Sequence, residues 1–148
     1  MIKLYTTHTN DILSDTYSDA LAIRKQVFIE EQQVPPEREI DTDEQQAIHF
    51  VLYDEANTPL ATVRLLATDY NTIKVQRMAV AKDARKKGYG KVMMAEAESY
   101  AQKQGYQKMV LGAQITARNF YQNLGYQEEG DYFLDAGIQH ITMTKTIA

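Results

Sequence analysis

The run TIKVQRMAVAKDARKKGYGK, residues 72–91, joins a candidate strand directly to a candidate helix, and the rest of the fold can be worked out from it. Its first nine residues alternate between apolar and polar side chains as a strand does, but the alternation slips. Ile73 and Val75 share one phase, whereas Met78 and Val80 are in the other. Such a slip indicates a β-bulge, although a strand buried on both faces would show a similar pattern.

The second half of the run gathers four cations around two glycines at the start of the helix. The first backbone N–H groups of a helix lack internal partners, and the helix dipole places partial positive charge there. Glycines also let the backbone approach a phosphate closely. We therefore expect a phosphate site formed by Arg85, Lys86, Lys87, Gly88, Tyr89, Gly90 and Lys91. The alternative is a solvated basic helix start.

Two common phosphate-binding motifs do not fit this run. A P-loop has four residues between its glycines and a Ser or Thr after the lysine. Here a single residue separates Gly88 from Gly90, and Lys91 is followed by Val92. A dinucleotide-binding loop would have a third glycine where Met93 stands. A general nucleotide-phosphate binder is therefore disfavoured.

Outward from this run, short apolar or alternating stretches bounded by turn residues predict six further strands. They cover residues 1–5, 47–53, 60–67, 108–113, 126–134 and 138–146. An antiparallel meander followed by alternating strands and helices predicts an α/β domain with a mixed sheet. At this length we expect a single domain over residues 1–148.

Three helices are predicted from apolar side chains spaced three or four residues apart. The first is capped by Ser14 or Asp15, the second begins at Tyr89 and the third near Ala117. The buried face of the first consists of Tyr17, Ala20, Ile23 and Val27. Residues 30–45 are polar and acidic, so we expect a loop there with a short turn of helix.

The composition excludes several classes of protein and site. Without cysteine there is no disulfide, thiolate metal site or cysteine nucleophile. His8, His49 and His140 lie far apart in the sequence, so we expect no metal site. The net charge of −4 argues against a nucleic-acid partner, and no apolar run suits a membrane span or a secretory signal. We expect a cytoplasmic protein, for which monomer or homodimer stays open.

Three segments, in this order, resemble the GNAT acetyltransferases. They are RKQVFIEEQQVPPEREID at 24–41, QRMAVAKDARKKGYGKVMM at 76–94 and GAQITARNFYQNLGY at 112–126. The middle one contains the family's acyl-CoA signature: Arg or Gln, two residues, Gly, one residue, then Gly or Ala. Here these positions are Arg85, Gly88 and Gly90. Together the segments resemble the ElaA/YjcF-like branch, and the resemblance covers most of the chain.

This resemblance implies a mixed, mostly antiparallel sheet flanked by helices, with a bulged, splayed strand at the acyl-CoA site. Acetyl-CoA would be the co-substrate, and residues 85–91, the glycine loop, would hold its pyrophosphate. The backbone of Met78, Ala79 and Val80 would pair with the pantetheine arm. Gln114 occupies a position where the family often has an asparagine that contacts the same arm. The implied activity is N-acetylation of an amine on a small molecule or peptide.

The implied chemistry is direct acetyl transfer in a ternary complex, because without cysteine no cysteine-linked acyl-enzyme can form. The Val80 amide would polarise the thioester carbonyl. Tyr121 matches the family's proton donor to the leaving sulfur, although its helical spacing also suits a core residue. The glutamate base that many relatives carry on the bulged strand has no counterpart here. The candidate bases are Glu31, which otherwise only caps or pairs with a neighbour, and His49, which is more often a hydrogen-bonded strand histidine. His140 would line the acceptor pocket, although a purely structural role is favoured for it.

Two questions about partners stay open. A catalytically silent acyl-CoA-binding module would keep the phosphate loop, and the presence of Tyr121 counts against it. Residues 30–45 contain seven acids and one base, a balance of −6. The family resemblance places this stretch beside the acceptor, so an acidic rim would favour cationic acceptors such as polyamines. Otherwise the stretch is a solvated acidic loop.

Overall fold

The computed structural model describes residues 3–148, which form one seven-stranded sheet with flanking helices. The strands are β1 (Leu4–Thr9), β2 (Ile48–Asp54), β3 (Pro59–Ala67), β4 (Thr72–Val80), β5 (Lys108–Gln114), β6 (Gln127–Asp135) and β7 (Ile138–Thr146). The helices are α1 (Asp15–Arg24), α2 (Pro36–Glu39), α3 (Tyr89–Lys103) and α4 (Arg118–Asn123). A π-helical segment (Lys25–Glu31) continues α1, and 3₁₀ turns precede α3 (Lys82–Ala84) and α4 (Ile115–Ala117). The first two residues of the predicted strand 1–5 lie outside the described residues.

The sheet has the strand order β1-β2-β3-β4-β5-β7-β6. Neighbouring strands are antiparallel except for β4 and β5, which are parallel. The predicted mixed, mostly antiparallel sheet is therefore confirmed. The four-residue helix α2 is the turn of helix expected within residues 30–45.

Helix α1 begins where the sequence predicts. The Ser14 hydroxyl accepts a hydrogen bond from the Tyr17 N–H at 3.2 Å, which satisfies one of the free donors at the helix start. The predicted apolar face packs on one face of the sheet and is buried at Tyr17, Ala20, Ile23 and Val27. The helix then widens into the π-helical segment, a conformation that is uncommon and is frequent at functional sites.

Helix α3 covers the opposite face of the sheet and supplies the larger core. Its Met93, Ala97 and Ala101 are fully buried, and they belong to one cluster with apolar side chains from β2 to β5 and β7. This is the face that the four-residue spacing predicted. No helix within residues 3–148 is both long enough and apolar enough to cross a membrane.

The predicted bulge lies in the second half of β4. The register between β3 and β4 shifts there, so that one β3 residue, Val63, faces two β4 residues, Arg77 and Met78. Arg77 has a φ of +57°, a left-handed conformation that non-glycine residues adopt only at a cost. Lys74 and Gln76 remain only partly buried. The bulge therefore explains the phase slip, and burial on both faces does not.

The bulge begins where β4 separates from β5. Parallel pairing between the two strands ends at Val75 and Leu111, although β4 continues to Val80 and β5 to Gln114. Beyond the last pair the two strands share no ladder of hydrogen bonds. The sheet therefore contains a gap at its centre, which is the splay that the family resemblance implies.

Candidate functional site

A cleft of about 1020 Å³ passes through the gap between β4 and β5. On the face covered by α3 its lining includes the glycine loop and α4, and we call this part the loop side. On the opposite face its lining includes the π-helical segment, residues of α2 and the hairpin of β6 and β7, and we call this part the hairpin side. A cleft of this size can hold a cofactor together with a small substrate.

The start of α3 presents unpaired backbone donors to the loop side. Gly88 caps the helix with a φ of +82°, which favours glycine. The first helical hydrogen bond runs from the Val92 N–H to the Gly88 carbonyl at 3.2 Å, so the amides of residues 89–91 have no helical acceptor. Gly90 has a different role, because a Cβ there would lie 3.2 Å from Met78 Cε and 3.3 Å from a Phe120 ring carbon. The first glycine sets the turn and the second permits close packing.

The lysines of the glycine loop do not all face the cleft. Lys86 and Lys91 line it, and neither forms an ion pair within residues 3–148. Lys87 lies outside the lining of the cleft and faces a neighbouring depression of about 550 Å³. The sequence predicted all three as phosphate ligands, and the structure brings two of them together.

Arg85, the first residue of the signature, is held by Glu31 at the end of the π-helical segment. Two guanidinium nitrogens of Arg85 donate to the Glu31 carboxylate at 2.6 and 2.9 Å, and its Nε donates to the Val80 carbonyl at 3.2 Å. The hydrogen bonds from Arg85 lower the pKa of Glu31. A lowered pKa makes a carboxylate a weaker base, so this pairing counts against Glu31 as the catalytic base.

The wall of the gap formed by β4 includes the predicted residues Met78, Ala79 and Val80. The Ala81 N–H donates to the Leu60 carbonyl of β3 at 2.8 Å. Because successive backbone amides of a strand point in opposite directions, the Val80 amide points away from β3 and into the gap.

Gln114 lines the facing wall, at the end of β5. Its Nε2 donates to the Gln32 Oε1 at 2.8 Å, so the side chain is joined to the residue that follows the π-helical segment. The amide of Gln114 therefore has a neighbour that fixes its orientation beside the gap.

Tyr121, the predicted proton donor, lines the cleft from α4. Its ring makes edge contacts with Phe120 at 5.0 Å and Tyr126 at 5.8 Å between ring centroids. Burial raises the pKa of Tyr121 to about 12. Its hydroxyl bonds no other group within residues 3–148 and remains protonated throughout the neutral range. The structure thus places a free hydroxyl donor against the gap, although the ring also packs in the core.

Three carboxylates of the acidic stretch 30–45 are tied to three arginines, and we call this group the ion network. Its members are Arg24, Glu39, Asp41, Glu44, Arg64 and Arg77. Glu44 joins both buried arginines, at 2.7 Å to Arg24 and 2.8 Å to Arg64. Arg77, the bulge residue, contacts Glu39 and Asp41, each at 3.1 Å. The loop after the π-helical segment is therefore fastened to the bulge of β4.

The protonation of this network follows from burial and pairing. Burial raises the pKa of Glu39 in spite of its arginine partners. Burial would also raise the pKa of Asp41, but hydrogen bonds and charge from Arg64 lower it to about 2. The network contains three positive and three negative groups, so the predicted acidic rim is wrong for Glu39, Asp41 and Glu44. The argument for cationic acceptors loses its main support, because these charges are neutralised within the protein.

His49, the second candidate base, lies outside the cleft. Its side chain is 1% exposed, its Nε2 donates to the Glu44 carbonyl at 2.8 Å, and its ring makes an edge contact with Tyr17. Its Nδ1 is buried without a hydrogen-bond partner within the described residues. Because no substrate in the gap could reach this ring, the structure does not support His49 as the base. The alternation of apolar and polar residues in β2 shows which face a side chain is on, but not that His49 lies beside the ion network.

The buried ring of His49 should instead make folding sensitive to pH. Burial lowers the pKa of His49, with Glu44, Arg24 and Arg64 facing the ring. Below about pH 6.5 the unfolded chain therefore binds a proton at this histidine that the folded chain does not bind. The free energy of unfolding consequently falls as the pH falls through this range. We expect the loss of unfolding free energy between pH 7.5 and 5.5 to be smaller in His49→Phe than in the unmodified protein, measured by urea denaturation. Equal losses would show that His49 does not contribute.

Two residues that the sequence reasoning did not select also line the cleft. Gln32 bonds Gln114, and Phe133 lies on the hairpin side with its ring 5.5 Å from that of His140. The only sequence signal for Phe133 is an apolar residue two positions before a tight turn. His140 also lines the cleft, whereas the sequence favoured a purely structural role for it.

Comparison with known proteins agrees with this geometry. The sequence profile described as Acetyltransferase (GNAT) domain matches residues 13–147. The uncharacterised N-acetyltransferase YjcF of Bacillus subtilis is 39% identical over 129 residues, which are 86% of this chain and 90% of YjcF. The crystal structure of Escherichia coli ElaA has a TM-score of 0.83 at 25% identity, covering 98% of this chain and 99% of ElaA.

A more distant structure, an aminoglycoside 6′-N-acetyltransferase complexed with coenzyme A, has the same fold, with a TM-score of 0.73 at 14% identity and 97% coverage of each chain. The profile match and the identity to YjcF each extend over most of the chain. The chain therefore belongs to the GNAT acetyltransferase family, in the branch that includes YjcF and ElaA, and it is an N-acetyltransferase.

Proposed function

We propose that this protein transfers the acetyl group of acetyl-CoA directly to a primary amine of a small molecule or peptide, with both substrates bound together. The observation that carries the proposal is the gap between β4 and β5. It is lined by the Val80 amide on one strand and by Tyr121 from α4, and the start of α3 adjoins it. Acetyl-CoA supplies the activated thioester.

The loop side fits the phosphates of CoA. The unpaired amides of residues 89–91 and the positive end of the α3 dipole suit a pyrophosphate. Lys86 and Lys91 add charge at the same place. Arg85 would contact the phosphates only if its guanidinium also bonded them beside Glu31, or if its ion pair with Glu31 broke. The coenzyme A bound to the related aminoglycoside acetyltransferase supports this choice of co-substrate.

The gap itself fits the pantetheine arm and the thioester. The Val80 amide points into it, and β4 offers backbone groups that β5 does not pair. An amide held by the bulge does not have to reorient when negative charge develops on the carbonyl oxygen, and such preorganised donors are a large source of rate enhancement. The bulge thus provides both the space and the donor.

Tyr121 suits the role of hydrogen-bond donor to the departing thiolate. A thiol has a pKa near 8.5, so complete proton transfer from a phenol with a pKa of about 12 would be uphill by about 5 kcal/mol. A hydrogen bond to the developing thiolate does not incur that cost. We therefore assign Tyr121 stabilisation of the leaving sulfur, with the final proton supplied by solvent.

A screen for acetyl transfer tests the proposal. The protein is incubated with acetyl-CoA and a panel of cationic, neutral and anionic amines, and free thiol is measured against a control without amine. We expect amine-dependent thiol release and an acetylated amine detectable by mass spectrometry. Binding of CoA without turnover of any amine would favour the silent acyl-CoA-binding module instead.

The loop lysines should differ in their effect on CoA binding. Lys86→Ala and Lys91→Ala each remove a cation that lines the cleft, and we expect each to weaken CoA binding by about 1–2 kcal/mol, roughly five- to thirtyfold in Kd. The matched control is Lys87→Ala, which removes the same charge from the same loop but faces the neighbouring depression. Isothermal titration calorimetry at low and high salt measures the difference. Equal losses in all three variants would mean that only the overall charge of the loop matters.

A further inference from the structure

His140 lines the hairpin side of the cleft. It is in β7, opposite Gln114 of β5 and Phe133 of β6, so its side chain is on the same face of the sheet as theirs. Its side chain lines the cleft and is 8% exposed. An imidazole in this position can meet a substrate that approaches the gap from the hairpin side.

The ring of His140 is held in one tautomer. Its Nδ1 lies 2.7 Å from the Ile138 carbonyl oxygen. Because a carbonyl can only accept, Nδ1 carries the hydrogen, and in the neutral ring Nε2 keeps its lone pair. A neutral histidine with this arrangement is a proton acceptor at a fixed position.

Nε2 of His140 is free to accept that proton. It forms no hydrogen bond within residues 3–148. In that range only His49 Nδ1 is a side-chain nitrogen that is both inaccessible to solvent and without a hydrogen-bond partner, so Nε2 of His140 is not buried. Nε2 is therefore accessible from the cleft. Phe133 stacks on the ring with an interplanar angle of 23°. Phe133 also closes over Gly112, where an added Cβ would lie only 3.0 Å from its ring.

We propose that His140 is the base that accepts the proton of the attacking amine. The proposal rests on the proposed acetyl transfer. The amine nitrogen forms a bond to the acetyl carbon as the carbon–sulfur bond breaks, the nitrogen's proton moves to Nε2 of His140, and the sulfur leaves as a thiolate hydrogen-bonded to Tyr121. No redox partner or further reactant is needed.

Other basic groups in the cleft are already engaged. Glu31 is bonded to Arg85, and Glu39 and Asp41 are bonded to arginines of the ion network. Gln76 is an amide that accepts from Arg64 and has no proton-accepting function. Among the cleft-lining groups, His140 is thus the one whose unprotonated nitrogen is both accessible and unbonded.

The test is His140→Asn, whose side-chain amide can still donate to the Ile138 carbonyl but cannot accept a proton. We expect kcat/KM to fall about 10²- to 10³-fold, while Kd for CoA and the melting temperature stay close to those of the unmodified protein. The dependence of kcat/KM on pH should differ from that of the unmodified protein. Added imidazole should restore part of the rate. The control is His8→Asn in β1, which lies outside the cleft.

The other charged groups on the hairpin side also contribute to the electrostatic environment of His140. They are Arg38 and Asp135, which pair at 2.8 Å, Lys74, and Arg77 with its partners Glu39 and Asp41. These carboxylates are paired with arginines, so a change in the pH profile that occurs only in His140→Asn is assigned to His140. If the unmodified protein acetylates amines and His140→Asn keeps kcat/KM within threefold with the same pH profile, His140 is not the base and the proposed function stands. If no amine is acetylated although CoA binds, both proposals fail.

Discussion

Replacing Glu44 with Ala is expected to lower the free energy of unfolding by about 3–5 kcal/mol, because it leaves two buried arginines without their shared carboxylate. Glu44 bonds Arg24 at 2.7 and 3.0 Å and Arg64 at 2.8 Å, and both guanidinium groups are 1% exposed. Its carboxylate also accepts from the Asp41 amide. The loss should be measured by urea denaturation at neutral pH.

The matched control for this prediction is Glu37→Ala. Glu37 lies in the same acidic stretch and is exposed, with no ion pair within the described residues. Its removal should change stability by no more than about 0.5 kcal/mol. If Glu44→Ala were as mild as Glu37→Ala, the network would be a solvated surface cluster.

Replacing Tyr121 with Phe is expected to lower kcat by about ten- to a thousandfold, because it removes the donor to the leaving sulfur and keeps the ring. The edge contacts with Phe120 and Tyr126 do not involve the hydroxyl, so stability should barely change. Steady-state and single-turnover kinetics should be measured together, so that the chemical step is known to limit the rate.

Tyr126→Phe is a close control for this variant. Tyr126 lies beside Tyr121 and is also buried, but its hydroxyl contacts Met109 Sδ at 3.7 Å and it does not line the cleft. We expect its kcat to be unchanged. An unchanged chemical step in Tyr121→Phe would assign Tyr121 to the core alone. A loss of similar size in both variants would point to packing of α4 rather than to the hydroxyl.

The features that the sequence predicted well are encoded locally. The phase slip between Val75 and Met78 is a two-residue periodicity that a bulge must break, and the structure contains that bulge. Ser14 precedes a helical apolar pattern and caps that helix. The face of α3 repeats every fourth residue around Met93 and is buried. Each of these signals lies within a single helix or strand, so no long-range information is required.

The features that the sequence did not predict depend on distant partners. Glu44 meets arginines 20 residues away on either side, and nothing in a polar, acidic stretch distinguishes a carboxylate that will be buried from one that will be solvated. Glu31 and Arg85 are 54 residues apart. Lys87 points away from the cleft because the backbone turns through left-handed conformations on either side of it, at Lys86 and Gly88. A charge count cannot show these directions.

The junction of β4 and β5 consists of four residue pairs, from Thr72 with Lys108 to Val75 with Leu111. The sheet thus consists of two smaller sheets, one of β1 to β4 and one of β5, β7 and β6, joined by this short junction. A ligand that spans the gap and contacts both walls adds a further connection between the two smaller sheets. We expect amide hydrogen exchange at the ends of both strands to slow when CoA binds, while the interior of α3 stays unchanged. The protein would then become stiffest along the line where the acetyl group is transferred.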